Sequence, residues 1–204
     1  ELATGLNCWS EGARAYVPAV AEFEATPSGY FIARRTRHQV IVPPNLISDA
    51  TDALIGGARL RFAVLGVALI DMSTGRNVML AEAQSSPATW TATNEVTFTN
   101  AFTDIQADLR LTVSLAGLEQ DVILKEQVSP ELVMDLGFNP TTTRLLVLTE
   151  FFEAPTATLR NMDPSQAINT PSDVEICFQG CSIGAGRAFG ESNSKQDSSI
   201  TVYK

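Results

Sequence analysis

Lysine is scarce in this chain of 204 residues, which carries Lys125, Lys195 and Lys204 alone, and the 14 basic residues face 23 acidic ones for a net charge of -9. Nucleic acid and anionic membrane surfaces both demand clustered cations, so that balance argues against either as a partner. The one basic cluster, Arg34, Arg35, Arg37 and His38, reads as a polar strand edge or as partners for nearby carboxylates. Histidine is almost absent. A Ser-His-Asp or Cys-His centre would have to use His38, which lies in a polar stretch without a nucleophile-elbow motif. Long apolar runs are missing too: residues 62–70 form the longest candidate, and that is strand length, well short of the ~18 to 20 residues that cross a bilayer. No membrane insertion is expected.

Cysteine is sparse and odd in number: Cys8, Cys177 and Cys181. Cys177 and Cys181 would lie ~13 Å apart on a continuous strand, beyond the reach of a disulfide. A turn at Gln179-Gly180 would close that gap, or one of the pair would reach Cys8, so one disulfide is expected. Zinc would need four ligands, and the only histidine is distant in sequence, so neither a metal nor another cofactor is expected. The chain begins at Glu1, without a charged-then-apolar leader, and so reads as a processed or excised piece of an exported protein.

What the sequence does hold is strand pattern. Residues 103–127 alternate apolar and polar positions, with Ile105, Ala107, Leu109, Leu111, Val113 and Leu115 on one side, and the pattern breaks at Ala116-Gly117. Such alternation places one face on a core and one in water, as in an antiparallel hairpin. A second hairpin is expected from residues 60–70 and 77–83. Asp71 and Gly75 bound its turn, since an Asp side chain accepts local backbone hydrogen bonds and Gly tolerates positive φ. Residues 30–42 predict a strand pair or one bent strand, residues 48–54 a helical turn, and residues 88–99 another strand region. Ser129-Pro130-Glu131 carries the marks of a helix start, closed by Gly137. Residues 142–152 are apolar on both parities, which suits a strand buried on both faces, with a helix as the alternative that periodicity leaves open. The fold expected is all-β: an antiparallel β-sandwich, Ig-like or jelly-roll-like, with one short inserted helix. Residues 1–28 would form an extension or first strand and residues 29–204 the sandwich.

Several segments carry a resemblance. Residues 102–110 (FTDIQADLR) and 117–124 (GLEQDVIL), followed by Gly137-Phe138-Asn139-Pro140, Thr149-Glu150-Phe151-Phe152 and Gly186-Arg187-Ala188-Phe189, resemble parts of long, uncharacterised secreted or surface multidomain proteins of environmental bacteria. The resemblance covers residues 30–204 and implies an extracellular β-rich module. It transfers no catalytic residue.

Candidate binding residues are Trp90, Asp108, Glu119 and Asp121. Glu119 and Asp121 share a strand face at ~7 Å, a separation compatible with glycoside hydrolysis, although a solvated face explains them more simply. Trp9, Tyr16, Tyr30, Trp90 and Tyr203 supply rings for a sugar platform, against the plainer reading of core and cross-strand packing. Ser199, Ile200, Thr201, Val202 and Tyr203 form a terminal strand suited to completing a neighbour's sheet. The preferred function is a non-enzymatic structural or adhesive module of the cell surface, assembling into a fibre or layer through self-association or with neighbouring domains. The alternative is a carbohydrate-binding or carbohydrate-processing sandwich.

Overall fold

The structure, a computed structural model, describes residues 7–161, 174–184, 186–190 and 199–202. The chain divides into two compact units, one comprising Glu1–Ile55 and Arg59–Glu153, the other Gly56–Ala58 and Ala154–Lys204. The first unit opens with the hairpin β1 (Asn7–Ser10) and β2 (Ala15–Pro18). It continues through β3 (Glu24–Ala25), β4 (Phe31–Ala33), β5 (Gln39–Val42), β6 (Thr51–Ile55), β7 (Ala58–Asp71) and β8 (Asn77–Glu82). Next come β9 (Ala88–Ala92), β10 (Glu95–Phe98), β11 (Ala107–Val113), β12 (Leu118–Leu124), the helix α1 (Pro130–Asp135) and β13 (Thr143–Glu153).

These strands make an all-β antiparallel sandwich with one short helix. One sheet has seven strands in the order β13-β7-β6-β5-β4-β3, with β8 also pairing with β7; the other has four, in the order β12-β11-β10-β9. Val40, Val42, Val67 and Leu69 come from the larger sheet and Val96, Phe98, Leu109, Leu111 and Val113 from the smaller, all buried. A cavity of only about 10 Å³ is lined by Phe62 and Val64 from one sheet and Leu109 and Leu111 from the other. Gln120 Nε2 on β12 donates to Thr149 Oγ1 on β13 at 3.2 Å, bridging the sheets at their margin.

The alternating stretch forms β11 and β12, paired from Ala107↔Leu124 to Val113↔Leu118 and turning at Ser114–Gly117, where Ser114 N donates to the Gly117 carbonyl. Its ends fall outside the strands: Ile105 lies in the preceding loop and Leu115, at the turn, is exposed. Asp71 performs the expected turn chemistry. Its Oδ1 accepts from the Ser73 amide at 2.9 Å and the Ser73 hydroxyl at 2.7 Å, and Gly75 has φ +72°. These two hydrogen bonds hold the Asp71 carboxyl at about 2, below its ordinary value. Within β7, Gly66 is forced by space rather than by φ, because a Cβ there would come 2.2 Å from the Ala81 carbonyl oxygen on β8.

The helix also forms as its residues dictate. Ser129 Oγ accepts from Leu132 N at 3.2 Å, Pro130 begins the helix, and Gly137 leaves it at φ +77°. Val133 and Phe138 pack with Leu69 of β7, while the Arg76 guanidinium lies 4.3 Å over the Phe138 ring and donates to the Leu136 carbonyl.

Two local expectations are corrected. Residues 48–54 do not form a helical turn, since the hydrogen-bonded turn comes earlier, at Leu46–Ser48, and Thr51–Ile55 is extended as β6. The strand region expected over residues 88–99 forms, as the β9–β10 hairpin. The segment 142–152 is not a strand buried on both faces: β13 ends the seven-stranded sheet, with Leu145 38% and Val147 44% exposed.

The second unit contains β14 (Thr158–Asn161), β15 (Val174–Phe178) and β16 (Cys181–Ile183) in one sheet, and β17 (Gly186–Phe189) paired with β18 (Ser199–Val202) in another. An Arg160–Glu175 ion pair ties β14 to β15, and the Ser182 hydroxyl donates to the same carboxylate from β16.

Candidate functional site

The candidate acids belong to the outer face of the four-stranded sheet. Register sets Asp121 opposite Arg110 and Glu119 opposite Thr112. Arg110 Nη2 donates to Asp121 Oδ2 at 2.9 Å and a second nitrogen lies 3.5 Å from Glu95, so the arginine bridges β10, β11 and β12. Asp108 is buried and fully engaged: Oδ1 accepts from the Asn100 amide at 3.0 Å, and Oδ2 meets Lys125 Nζ at 2.5 Å. Asn100 sits at φ +49°, and the loop it opens buries Ala101 and Phe102. Asp108 thereby pins a left-handed turn. Glu119 and Asp121 share a face as expected, Glu95 joins them across Thr112, and the Arg110 guanidinium pairs with Asp121 and Glu95 in their midst.

Trp90 is separated from those acids. It pairs with Val96, which is fully buried on the inner face, and its ring meets Phe31 of β4 edge-on at 6.2 Å. The tryptophan therefore closes the margin between the two sheets, and the four candidate binding residues do not converge on one site. Trp9 and Tyr16 do pair, at 5.4 Å across the β1–β2 hairpin, and both are exposed. Glu11 accepts from the Trp9 indole nitrogen at 2.9 Å.

The basic cluster finds carboxylates. Arg34 meets Glu24 at 3.0 Å and Arg35 meets Glu22 at 2.7 Å. His38 lies buried beneath them, and its Nε2 has no hydrogen-bond partner. Burial pushes its imidazole below the ordinary value, while the backbone of Gly117 and Ser114 in the β11–β12 turn pulls the other way. No hydrogen bond among the described residues links this imidazole to a hydroxyl or thiol side chain, and the Ser114 hydroxyl is spent inside its own turn. His38 thus packs between the β4–β5 loop and the β11–β12 turn.

The expected disulfide is absent, and all three cysteines are free thiols. The reason is the two-residue hairpin at Gln179-Gly180, which pairs Phe178 with Cys181 and Cys177 with Ser182. Paired residues share a face and neighbours alternate, so Cys177 and Cys181 point to opposite faces. Cys8 is buried in the β1–β2 hairpin, and burial raises the Cys181 thiol above its ordinary value. The terminal strand pairs with β17, from Gly186↔Val202 to Phe189↔Ser199, so one of its edges is taken within the chain; Tyr203 lies outside the described residues. Among the described residues no group of three or more His, Cys, Asp or Glu is placed to hold a metal ion, and no helix is long and apolar enough to cross a membrane.

Two features escaped the sequence. One is an open groove of about 490 Å³ whose floor and walls include Leu46, Ile47, Ala63, Leu65 and Phe152. Its polar rim is the Arg61–Asp49 ion pair at 2.9 Å, with the Tyr30 hydroxyl donating to Asp49. The other is the place of β13: the strand itself was expected, but it lies at the sheet's end and is half-exposed. Apolar residues on both parities describe a central strand as well as such an edge, and the groove brings together residues distant in sequence. No family model, curated protein or solved structure matches the chain.

Proposed function

We propose that this chain is a non-enzymatic, extracellular structural or adhesive module that assembles into a fibre, a surface layer or a larger surface protein through sheet-edge and inter-subunit packing. The observation that carries the reading is β13. Natural sheets blunt their edges with short strands, lysines or prolines, because a long apolar edge templates pairing with another chain. β13 spans Thr143–Glu153 with neither lysine nor proline, whereas β3, at the other end of the same sheet, has two residues. The resemblance to secreted multidomain proteins agrees with such a role. The non-enzymatic part is supported by the engagement of Asp108 with Lys125 and Asn100, of Asp121 with Arg110, and by the burial of His38, whose Nε2 has no hydrogen-bond partner among the described residues. Sedimentation of the wild-type chain over a wide concentration range, with electron microscopy of the concentrated sample, tests it. Concentration-dependent oligomers or fibres are expected; a monomer throughout removes the reading.

Carbohydrate binding is the second reading, favoured by the exposed Trp9–Tyr16 pair with Glu11 beside it. Aromatic rings offer the flat apolar surface on which sugar faces pack. A glycan array with wild type and W9A decides it: silence from the wild type ends the proposal.

A further inference from the structure

Among the described residues no strand pairs with the outer edge of β13, and that edge is self-complementary. Building on the assembly reading, we propose that β13 pairs antiparallel with β13 of a second copy of this chain, about a two-fold axis through Val147, fusing two seven-stranded sheets into one.

The argument starts from what a continuous sheet requires. If the core faces of both copies stay on the same side, each residue of β13 must oppose one of its own parity. The two-fold axis then passes through a residue. β13 pairs with β7 regularly from Thr143 to Leu148, and the skip to Thr149 is absorbed by Leu65 of β7 rather than by β13. Its own parity is therefore unbroken up to Phe151.

With the axis at Val147, Arg144 of each copy faces Glu150 of the other, Leu146 faces Leu148, Leu145 faces Thr149, and Val147 faces itself. Two ion pairs and two leucine pairs follow on one face, and an apolar strip on the other. Opposite charges and apolar residues directly across a ladder are the favourable cross-strand pairs. Moving the axis one residue either way sets Arg144 opposite Leu148 or Phe152 and leaves Glu150 facing Thr142 or Leu146. One register is selected.

The charges are available for this purpose. Arg144 and Glu150 are exposed, and among the described residues neither takes part in an ion pair within the chain; Arg144 only donates to the nearby Thr141 and Thr143 carbonyls. The segment from Thr143 to Glu150 carries one charge of each sign, so this edge is neutral in a chain of net charge -9. Two copies can approach along it without the repulsion the rest of the surface imposes. The edge of the other sheet at β12 is less suited, because it presents Glu119 and Asp121 on one face.

Charge reversal gives the test. R144E makes the edge wholly acidic and E150R makes it wholly basic, so each variant alone should dimerise about ten-fold more weakly than wild type, as two attractive pairs become repulsive. An equimolar mixture should recover wild-type association as a heterodimer. Both residues are exposed, so circular dichroism should show an intact fold. Independently, V147C places two thiols across the axis within disulfide reach and should give a cross-linked dimer on a non-reducing gel. L145C should not, because its copies would lie ~13 Å apart along the strands; wild type run alongside reports any link through Cys8, Cys177 or Cys181. If wild type associates but the mixture is no better than its components and V147C stays monomeric, this interface is wrong while assembly through another surface stands. If wild type is monomeric at every concentration, both fall.

Discussion

Replacing Asp108 separates a structural acid from a binding one. Its carboxylate is almost wholly buried, with one oxygen on the Asn100 amide at 3.0 Å and the other on Lys125 Nζ at 2.5 Å. Asp108→Ala removes a part-buried hydrogen bond from the Asn100 N–H to a charged carboxylate, which costs about 1.5–3 kcal/mol. It also removes the ion pair. Lys125 is half exposed, so solvent screens that attraction to about 1 kcal/mol or less. The sum is about 1.5–4 kcal/mol. Asp108→Asn keeps an oxygen for the Asn100 amide and loses only the charge, so it should cost about 1 kcal/mol. Urea unfolding at neutral pH, read as a midpoint shift at constant slope, measures both. Amide exchange at Asn100 supplies the local readout: it should accelerate in the alanine variant and stay near wild type in the asparagine variant. If D108A matched wild type within about 0.5 kcal/mol, the loop around Ala101 and Phe102 would not depend on this contact, and Asp108 would return as a candidate ligand group.

His38 should make the protein acid-sensitive. Its folded-state pKa lies below the ordinary value, so the unfolded chain takes up the proton first, and stability falls as pH drops below about 6.5 until the folded form also titrates, by at most about 1.4 kcal/mol per pH unit. Urea midpoints across that window should slope in wild type and flatten in H38Q; equal slopes refute the assignment. Asp71, held at about 2, contributes stability that is complete above its ordinary carboxylate pKa and lost as pH falls from about 4 towards 2, so D71N should lack that part of the acid transition in a thermal melt series. G66A should cost about 1–3 kcal/mol, because its methyl meets the Ala81 carbonyl and must push β8 away; an unchanged melting temperature would show that the β7–β8 spacing is not as described.

Much of the fold was legible because local physics decides it. The alternation over β11 and β12 survives since each side chain meets either core or water, and the Ser129 cap with Gly137 needs only neighbouring residues. The Asp71–Gly75 turn is likewise self-contained. The site was less legible because it depends on which strand lies beside which. Trp90 and the acids sit close in sequence, yet the register shift between Glu95 and Val96 leaves Trp90 opposite a buried valine, away from Arg110 and Asp121. Cys177 and Cys181 share parity on a straight strand and lose it at a two-residue turn. For β13, apolar residues on both parities say that both faces avoid water, and cannot say whether the cover comes from the same chain or another.

Hydrogen exchange of β13 as a function of protein concentration tests self-association at this edge most directly. Every second amide on the outward side of the segment from Arg144 to Glu150 should be fast to exchange in dilute protein and slow down as concentration rises, while amides of β12 stay unchanged. Exchange in β13 that does not depend on concentration, in a sample shown to associate, would contradict pairing along this strand.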